Sequence, residues 1–193
     1  PGSTFKMIVA LAALEKGVVT PRTTYSCSGK LELGNSMFHC WKKGGHGKMS
    51  MANAIVQSCD IYFYEIALRT GIDNISAMAR RLGLGQILDI ELFGERQGLM
   101  PTRSWKKKIK GVSWQKGETL LAGIGQGLML ATPLQLVVMT ARLVNGGKAV
   151  LPSLIIGSEA KTSQRELVTE PKFTDLGIHT PHLDLIRNAM KNV

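Results

Sequence analysis

Ser3 and Lys6 could form a nucleophile and its base, because they are three residues apart at the start of an apolar run. If this run is a helix, the two side chains lie on one face and within reach of a hydrogen bond. A serine hydroxyl becomes nucleophilic when a base takes its proton, and a buried lysine can be that base. The alternative is a helix-capping serine beside a lysine that extends to solvent.

A second polar group comes much later, where Ser58 and Asp60 flank Cys59 between two apolar segments. These segments predict short helices, so the three residues belong to the loop that joins them. From a loop, the Ser58 hydroxyl can relay protons and the Asp60 side chain can hold a lysine in place. The four catalytic candidates are therefore Ser3, Lys6, Ser58 and Asp60.

The chain contains three cysteines, Cys27, Cys40 and Cys59, and His46 lies near the second of them. A disulfide leaves one thiol over, whereas a metal site uses all four residues as the closed Cys3His set that suits zinc. Such a site would also fasten the long polar segment 18–48, which has no other evident support. His39 is the main competing ligand.

The apolar periodicity, the capping residues and the glycines predict where the helices and strands lie. Residues 18–48 and 97–118 read as irregular, and residues 88–92 and 150–156 as short strands. The predicted helices cover residues 5–16, 51–57, 61–69, 73–82 and 132–144, and a last helix that starts at Thr180 and still runs at Val193.

The composition fits one globular domain or a large part of one, with 193 residues, 44% hydrophobic and 20% charged. No uninterrupted apolar run is long enough to cross a bilayer. The formal net charge of +10 favours an anionic neighbour. Nucleic acid is not expected, since no binding module surrounds the basic cluster at residues 106–110. The first residues do not look like a signal peptide, so we expect the chain to be part of something longer.

Several motifs together resemble the transpeptidase domain of class B penicillin-binding proteins, most closely the penicillin-binding protein 2 group. The resemblance covers residues 1 to about 152. The motifs, in chain order, are Pro-Gly-Ser-Thr-Phe-Lys at residues 1–6, Ser-Cys-Asp at 58–60, Gly-Glu-Arg at 94–96, Gly-Ile-Gly-Gln-Gly at 123–127 and Ala-Thr-Pro-Leu-Gln at 131–135.

The resemblance implies an α+β penicillin-recognising fold, of which this chain holds the helical subdomain and only part of the antiparallel sheet. It also implies a peptidoglycan D,D-transpeptidase in which Ser3 is acylated by a stem peptide ending in D-Ala-D-Ala, or by a β-lactam. Lys6 would be the base, and Ser58 and Asp60 the second motif, where Asp60 replaces the usual asparagine. Members of the group hold zinc beside the active site, with ligands at positions matching Cys27, Cys40, His46 and Cys59.

One family motif, Lys-Thr/Ser-Gly on a strand lining the cleft, has no good match in this chain. The segment Lys161-Thr162-Ser163 is flanked by polar residues, so we interpret it as part of a loop that resembles the motif by chance. We therefore expect residues 1–193 to be a partial transpeptidase domain that ends before the third motif and reacts poorly with penicillin. No cofactor is expected for catalysis.

The resemblance places the parent protein at the periplasmic face of the inner membrane, anchored by an N-terminal helix that is absent from this sequence. Its partners would be the glycosyltransferase and scaffold proteins of the elongation machinery. Two alternatives stay open: a serine β-lactamase or β-lactam sensor, and a non-enzymatic, zinc-stapled basic binding module. The first leaves the Gly-Glu-Arg and Gly-Ile-Gly-Gln-Gly stretches unexplained.

Overall fold

The central element of the computed structural model, which describes residues 1–90, 93–153 and 173–193, is helix α1 (Lys6–Glu15). A single 3-10 turn (Gly2–Phe5) leads into it. Residues 8–14 are all buried, as expected for a helix that is apolar on every side. The helix predicted over residues 5–16 is confirmed.

Five helices surround or extend this central helix. Contacts with α1 come from α2 (Met51–Val56), α3 (Asp60–Thr70), α4 (Ile72–Arg81) and α8 (Thr180–Met190). Helix α6 (Lys116–Gly123) packs on α3. A β-carbon at Gly123 would lie 2.7 Å from the Ala67 Cβ, so only glycine allows this close approach. The helices predicted over residues 51–57, 61–69 and 73–82 are confirmed.

Two small antiparallel sheets of two strands each occupy residues 24–50, where the sequence predicted an irregular segment, so that prediction was wrong. Strand β1 (Thr24–Cys27) pairs with β4 (Gly47–Ser50), and β2 (Lys30–Leu33) pairs with β3 (Ser36–His39). Each strand has four residues, and most of their side chains are exposed or half-buried. Strands this short and polar carry little of the apolar alternation by which a strand is recognised.

The irregular segment predicted over residues 97–118 was also wrong, because it contains helix α5 (Arg103–Lys110) and the start of α6. One of its lysines packs inward: Lys106 is buried and forms a salt bridge with Glu118 at 2.5 Å. The strands predicted over residues 88–92 and 150–156 are absent from their described parts, residues 88–90 and 150–153. The remaining residues of both, and Lys161-Thr162-Ser163, lie outside the described residues.

Two helices near the C-terminus begin where their capping signals predicted. In α7 (Pro133–Val144), Thr132 and Gln135 form a reciprocal capping box, and α8 begins at Thr180. Helix α8 ends at Met190, so the prediction that it still runs at Val193 was wrong. Its first turn is joined to α1 by a 2.6 Å contact between His182 Nδ1 and Glu15 Oε1.

The described residues thus form a helical bundle with two small antiparallel sheets on its surface, which confirms the α+β class. No helix among them combines the length and the apolar character needed to cross a membrane.

Candidate active site and metal centre

The 3-10 turn and the first turn of α1 present Ser3 and Lys6 very differently. The Ser3 side chain is exposed to solvent, whereas Lys6 is only 2% exposed. A buried ammonium group must find hydrogen-bond acceptors, since an unpaired charge in the interior costs several kcal/mol. The surroundings of Lys6 therefore decide what it can do.

Three acceptors surround the Lys6 ammonium group. Its Nζ donates to the Ser58 carbonyl oxygen at 2.9 Å, to Ser58 Oγ at 2.8 Å and to Asp60 Oδ1 at 2.6 Å. An ammonium group has three N–H donors, so all of them are used. The carboxylate of Asp60 compensates the buried charge.

Ser58 lies between Ser3 and Lys6. Its Oγ is 3.3 Å from Ser3 Oγ, so hydroxyl groups connect Ser3 to the amine by way of Ser58. Its backbone φ of 50° falls in the left-handed region, which is uncommon for a residue other than glycine, and in this conformation its hydroxyl and its carbonyl both contact Lys6. The structure thus brings together all four catalytic candidates, with Ser58 as the link.

Trp41 was not among the residues predicted from the sequence, but it contacts two of the catalytic candidates. Its backbone N–H donates to Asp60 Oδ2 at 3.0 Å, and its indole Nε1 donates to the Ser58 carbonyl at 3.1 Å. The same indole lies 3.2 Å from the Gln57 carbonyl. The one signal in the sequence was that this residue directly follows Cys40. A residue next to a predicted metal ligand is held near the place where the ligands meet.

Gly125 packs directly against the 3-10 turn that carries Ser3. The Gly2 N–H donates to the Gly125 carbonyl at 3.0 Å, and a β-carbon at Gly125 would lie 2.0 Å from the Gly2 carbonyl oxygen. Gly125 also has a φ of 72°, which glycine adopts without strain. The Gly-Ile-Gly-Gln-Gly stretch therefore has a structural purpose: it lets two backbone segments touch directly beside Ser3.

Gly125→Ala is expected to lower the free energy of unfolding by more than about 2 kcal/mol, because the clash adds to the backbone strain. Gly127→Ala is the matched control: its φ is 79°, but its β-carbon would meet its nearest neighbour, Leu121, at an ordinary 3.4 Å. Urea denaturation of both variants measures the difference. Equal losses of stability would contradict a specific requirement at Gly125.

The four predicted metal ligands come together beside this site. The sulfur atoms of Cys27, Cys40 and Cys59 and a ring nitrogen of His46 all lie within 4.8 Å of one another. His46 Nδ1 is 3.4 Å from Cys40 Sγ and 3.6 Å from Cys27 Sγ. Tetrahedral zinc, with bonds of about 2.3 Å to sulfur and 2.0–2.1 Å to nitrogen, places S and N about 3.6 Å apart. The donor set and the two distances from His46 fit such an ion, and none of the three cysteines forms a disulfide.

The surroundings of these four residues shift the pKa values of three of them. Burial raises the pKa of the Cys59 thiol to about 12. At Cys27 burial also acts upward, but hydrogen bonds from the backbone of His46 and Gly29 leave its pKa below the ordinary value. Burial, together with the positive charge of Lys42, lowers the pKa of His46, which favours the neutral imidazole that a metal needs. His39, the competing ligand, is exposed and is not one of the clustered residues.

The family model of the penicillin-binding protein transpeptidase domain matches residues 1–193 of this chain. The peptidoglycan D,D-transpeptidase MrdA of Salmonella typhimurium is 36% identical over 195 residues, which cover 98% of this chain and 31% of that protein. The chain thus spans about a third of the length of the curated relatives it matches.

Two solved structures extend the comparison. Pseudomonas aeruginosa PBP2 in complex with WCK 5153 superposes with a TM-score of 0.85 at 41% identity, over 98% of this chain and 43% of that one. Helicobacter pylori PBP2 in a complex with MreC gives 0.84 at 32% identity, over 100% and 34%. With the family match along its whole length, the chain belongs to the transpeptidase domain family of the penicillin-binding proteins.

Proposed function

We propose that this chain carries the nucleophile and base of a peptidoglycan D,D-transpeptidase, which cross-links stem peptides through an acyl-enzyme on Ser3. The observation that carries the proposal is the hydrogen-bonded path from Ser3 Oγ through Ser58 Oγ to the buried Lys6 Nζ. The alternative interpretation is a helix-capping serine beside a lysine that extends to solvent. It does not explain why the amine is buried and hydrogen-bonded to a second hydroxyl.

The path defines how a proton leaves Ser3. A neutral Lys6 amine keeps two N–H donors for the Ser58 carbonyl and Asp60, and its lone pair then faces Ser58 Oγ. In this state the hydroxyl bonds reverse direction, so that Ser3 donates to Ser58 and Ser58 donates to Lys6. Attack by Ser3 passes its proton along this path to the amine. Asp60 stabilises the ammonium group that results.

The two half-reactions follow from this transfer. Ser3 Oγ forms an ester with the penultimate D-Ala carbonyl, the amide bond breaks, and the terminal D-Ala leaves as an amine that takes the proton from Lys6. An amine of a second stem then attacks the ester and gives up a proton by the same path, which restores the Ser3 hydroxyl. A β-lactam would acylate Ser3 in the same way, but its ring-opened leaving group stays attached.

We infer that Cys27, Cys40, His46 and Cys59 hold a structural zinc ion. The distances among the donor atoms and the burial of all three thiols support this inference. Zinc bound to four protein ligands has no open position, so it contributes folding energy and not catalysis. Cys59 lies between Ser58 and Asp60, and Cys40 directly precedes Trp41, so the metal ligands and the catalytic groups share two short backbone segments.

The whole protein's location and partners are part of the same proposal. We place it at the periplasmic face of the inner membrane, with the glycosyltransferase and scaffold proteins of the elongation machinery as partners. The Helicobacter pylori relative forms a complex with MreC, which supports a scaffold partner. The excess of basic residues suits an anionic cell-wall polymer.

Intact-mass measurement after incubation with benzylpenicillin tests the function in the full-length protein that contains this sequence. One adduct per chain that persists for minutes or longer is the expected result. An adduct lost within seconds would identify a β-lactam hydrolase, and no adduct would favour the zinc-stapled binding module. The 193 residues alone are expected to react slowly or not at all, because their sequence contains no Lys-Thr/Ser-Gly motif.

Trp41→Phe is expected to slow benzylpenicillin acylation roughly 2- to 10-fold, since it removes one hydrogen bond to the Ser58 carbonyl. The backbone bond from residue 41 to Asp60 stays, so the effect remains moderate. Trp105→Phe, in α5, is the control and should leave the rate unchanged. Stopped-flow acylation kinetics measure both; equal rates for Trp41→Phe and the unsubstituted protein would contradict a positioning role.

A further inference from the structure

A basic cleft lies at the opposite end of the α3–α6 helix pair from Ser3. Its cavity has a volume of about 590 Å³, within the range of small-molecule binding sites. Its lining includes Trp114, two leucines, Leu33 and Leu68, and four cations, Arg69, Arg103, Lys107 and Lys116.

The α3–α6 pair connects this cleft to the catalytic residues. Asp60 is the first residue of α3, and Arg69 belongs to its last turn, so a rise of 1.5 Å per residue separates them by about 14 Å. Helix α6 begins at Lys116 in the cleft, and the chain just after its end reaches Gly125, which bonds to the 3-10 turn that carries Ser3. The cleft and Ser3 thus lie near opposite ends of the same packed helix pair.

The net charge of the cleft is positive, since Glu65 is the one carboxylate among its lining residues. In the described part of the chain, the four cations form one salt bridge between them, from Arg103 to Asp73 at 3.5 Å, and both of those side chains are more than half exposed. Such an exposed pair contributes little, so the positive potential of the cleft is largely uncompensated. An anionic ligand is what this arrangement favours.

The walls of the cleft are held in place by contacts of their own. Trp114 Nε1 donates to Thr119 Oγ1 at 2.8 Å, which fixes the indole. Behind it, Lys106 joins the Ser113 carbonyl at 3.1 Å and Glu118 at 2.5 Å. A cleft whose walls are already ordered loses less entropy when it binds a ligand.

We propose that this cleft binds a carboxylate-bearing part of the peptidoglycan strand whose stem peptide reaches Ser3, an inference that rests on the proposed function. An extended peptide spans about 3.3–3.6 Å per residue, so about four residues match the length of α3 from Asp60 to Arg69. The cations bind carboxylates of the strand, and Trp114 with the two leucines contacts its apolar parts. The cleft thereby holds the strand while its stem acylates Ser3.

Lys107→Glu combined with Lys116→Glu tests the proposal, because both side chains line the cleft and are exposed. The matched control is Lys108→Glu with Lys110→Glu, which changes the net charge equally, on the same helix as Lys107 but outside the cleft lining. Binding is measured by calorimetry in the full-length protein with Ser3→Ala, so that the strand is not consumed. The probes are soluble uncross-linked strands with pentapeptide stems, and the same strands with amidated carboxylates.

The cleft variant is expected to weaken strand binding about 10-fold or more, as the loss of two charge-assisted contacts predicts, and the control less than about 3-fold. Amidated strands should bind the unsubstituted cleft as weakly as the variant binds native strands. Equal effects of the two double variants would overturn the proposal, and so would a polyglutamate peptide that binds as tightly as the strands. Benzylpenicillin capture by the protein that retains Ser3, measured in parallel, tests the proposed function separately.

Discussion

Ser3→Ala is expected to abolish the benzylpenicillin adduct, with the acylation rate reduced by at least about 10⁴-fold. The substitution removes the only atom proposed to form the ester, while Lys6 keeps its three acceptors on Ser58 and Asp60. Because these buried contacts stay, the fold and the melting temperature should change little. Intact mass after incubation with benzylpenicillin measures the adduct, and a thermal melt measures the fold.

Thr4→Ala is the matched control, because it removes the neighbouring exposed hydroxyl. Thr4 Oγ1 donates to the Pro1 carbonyl at 2.9 Å and takes no part in the path to Lys6. This variant should form the adduct at the rate of the unsubstituted protein. An adduct retained in Ser3→Ala, or lost in Thr4→Ala to the same extent, would show that Ser3 is not the nucleophile.

Cys40→Ser is expected to weaken zinc binding about 100-fold or more, because a serine hydroxyl is a poor ligand in a site otherwise made of two thiolates and an imidazole. A loss of 100-fold corresponds to about 2.7 kcal/mol of stability when the metal is near saturation. The melting temperature of this chain should then fall by roughly 5–10 °C. Metal content by mass spectrometry and thermal melts with and without a chelator measure both effects.

His39→Ala provides the control for the metal site. His39 is the residue next to Cys40, is exposed, and lies outside the cluster of four ligands. Its replacement should leave one zinc ion per chain and the full response to chelator. Unchanged metal content and stability in Cys40→Ser would refute the metal site. Acylation should also slow in Cys40→Ser, since Trp41 and its bonds to Ser58 and Asp60 follow the displaced backbone.

The arrangement of the catalytic candidates could be predicted because their chemistry depends on residue type and local spacing. Ser3 and Lys6 belong to one helix start, and the loop carrying Ser58 and Asp60 needs only to reach them. The cluster of Cys27, Cys40, His46 and Cys59 could be predicted for a similar reason, since an odd set of thiols with a histidine has few uses. The long buried helices also followed from apolar periodicity alone.

The parts that could not be predicted depend on contacts made at a distance. The bonds from Trp41 are set by where the loop before β4 meets the start of α3, which no spacing reveals. Helix α5 was missed because a run of lysines has no apolar stripe, although Lys106 reaches inward to Glu118. The two small sheets were missed because strands of four mostly exposed residues show no alternation that periodicity can detect.

The sequence separation within the active site makes chemical reactivity a late event in folding. Ser58 is 55 residues from Ser3, and Asp60 is 54 residues from Lys6. Contacts between such distant residues form only after the intervening chain has closed into a loop, which is slow relative to helix formation. A molecule whose helices are formed but whose α1 and α3 have not docked has no path from Ser3 to Lys6. Covalent labelling of Ser3 during refolding would therefore count the molecules that have completed this docking, whereas circular dichroism would count helices.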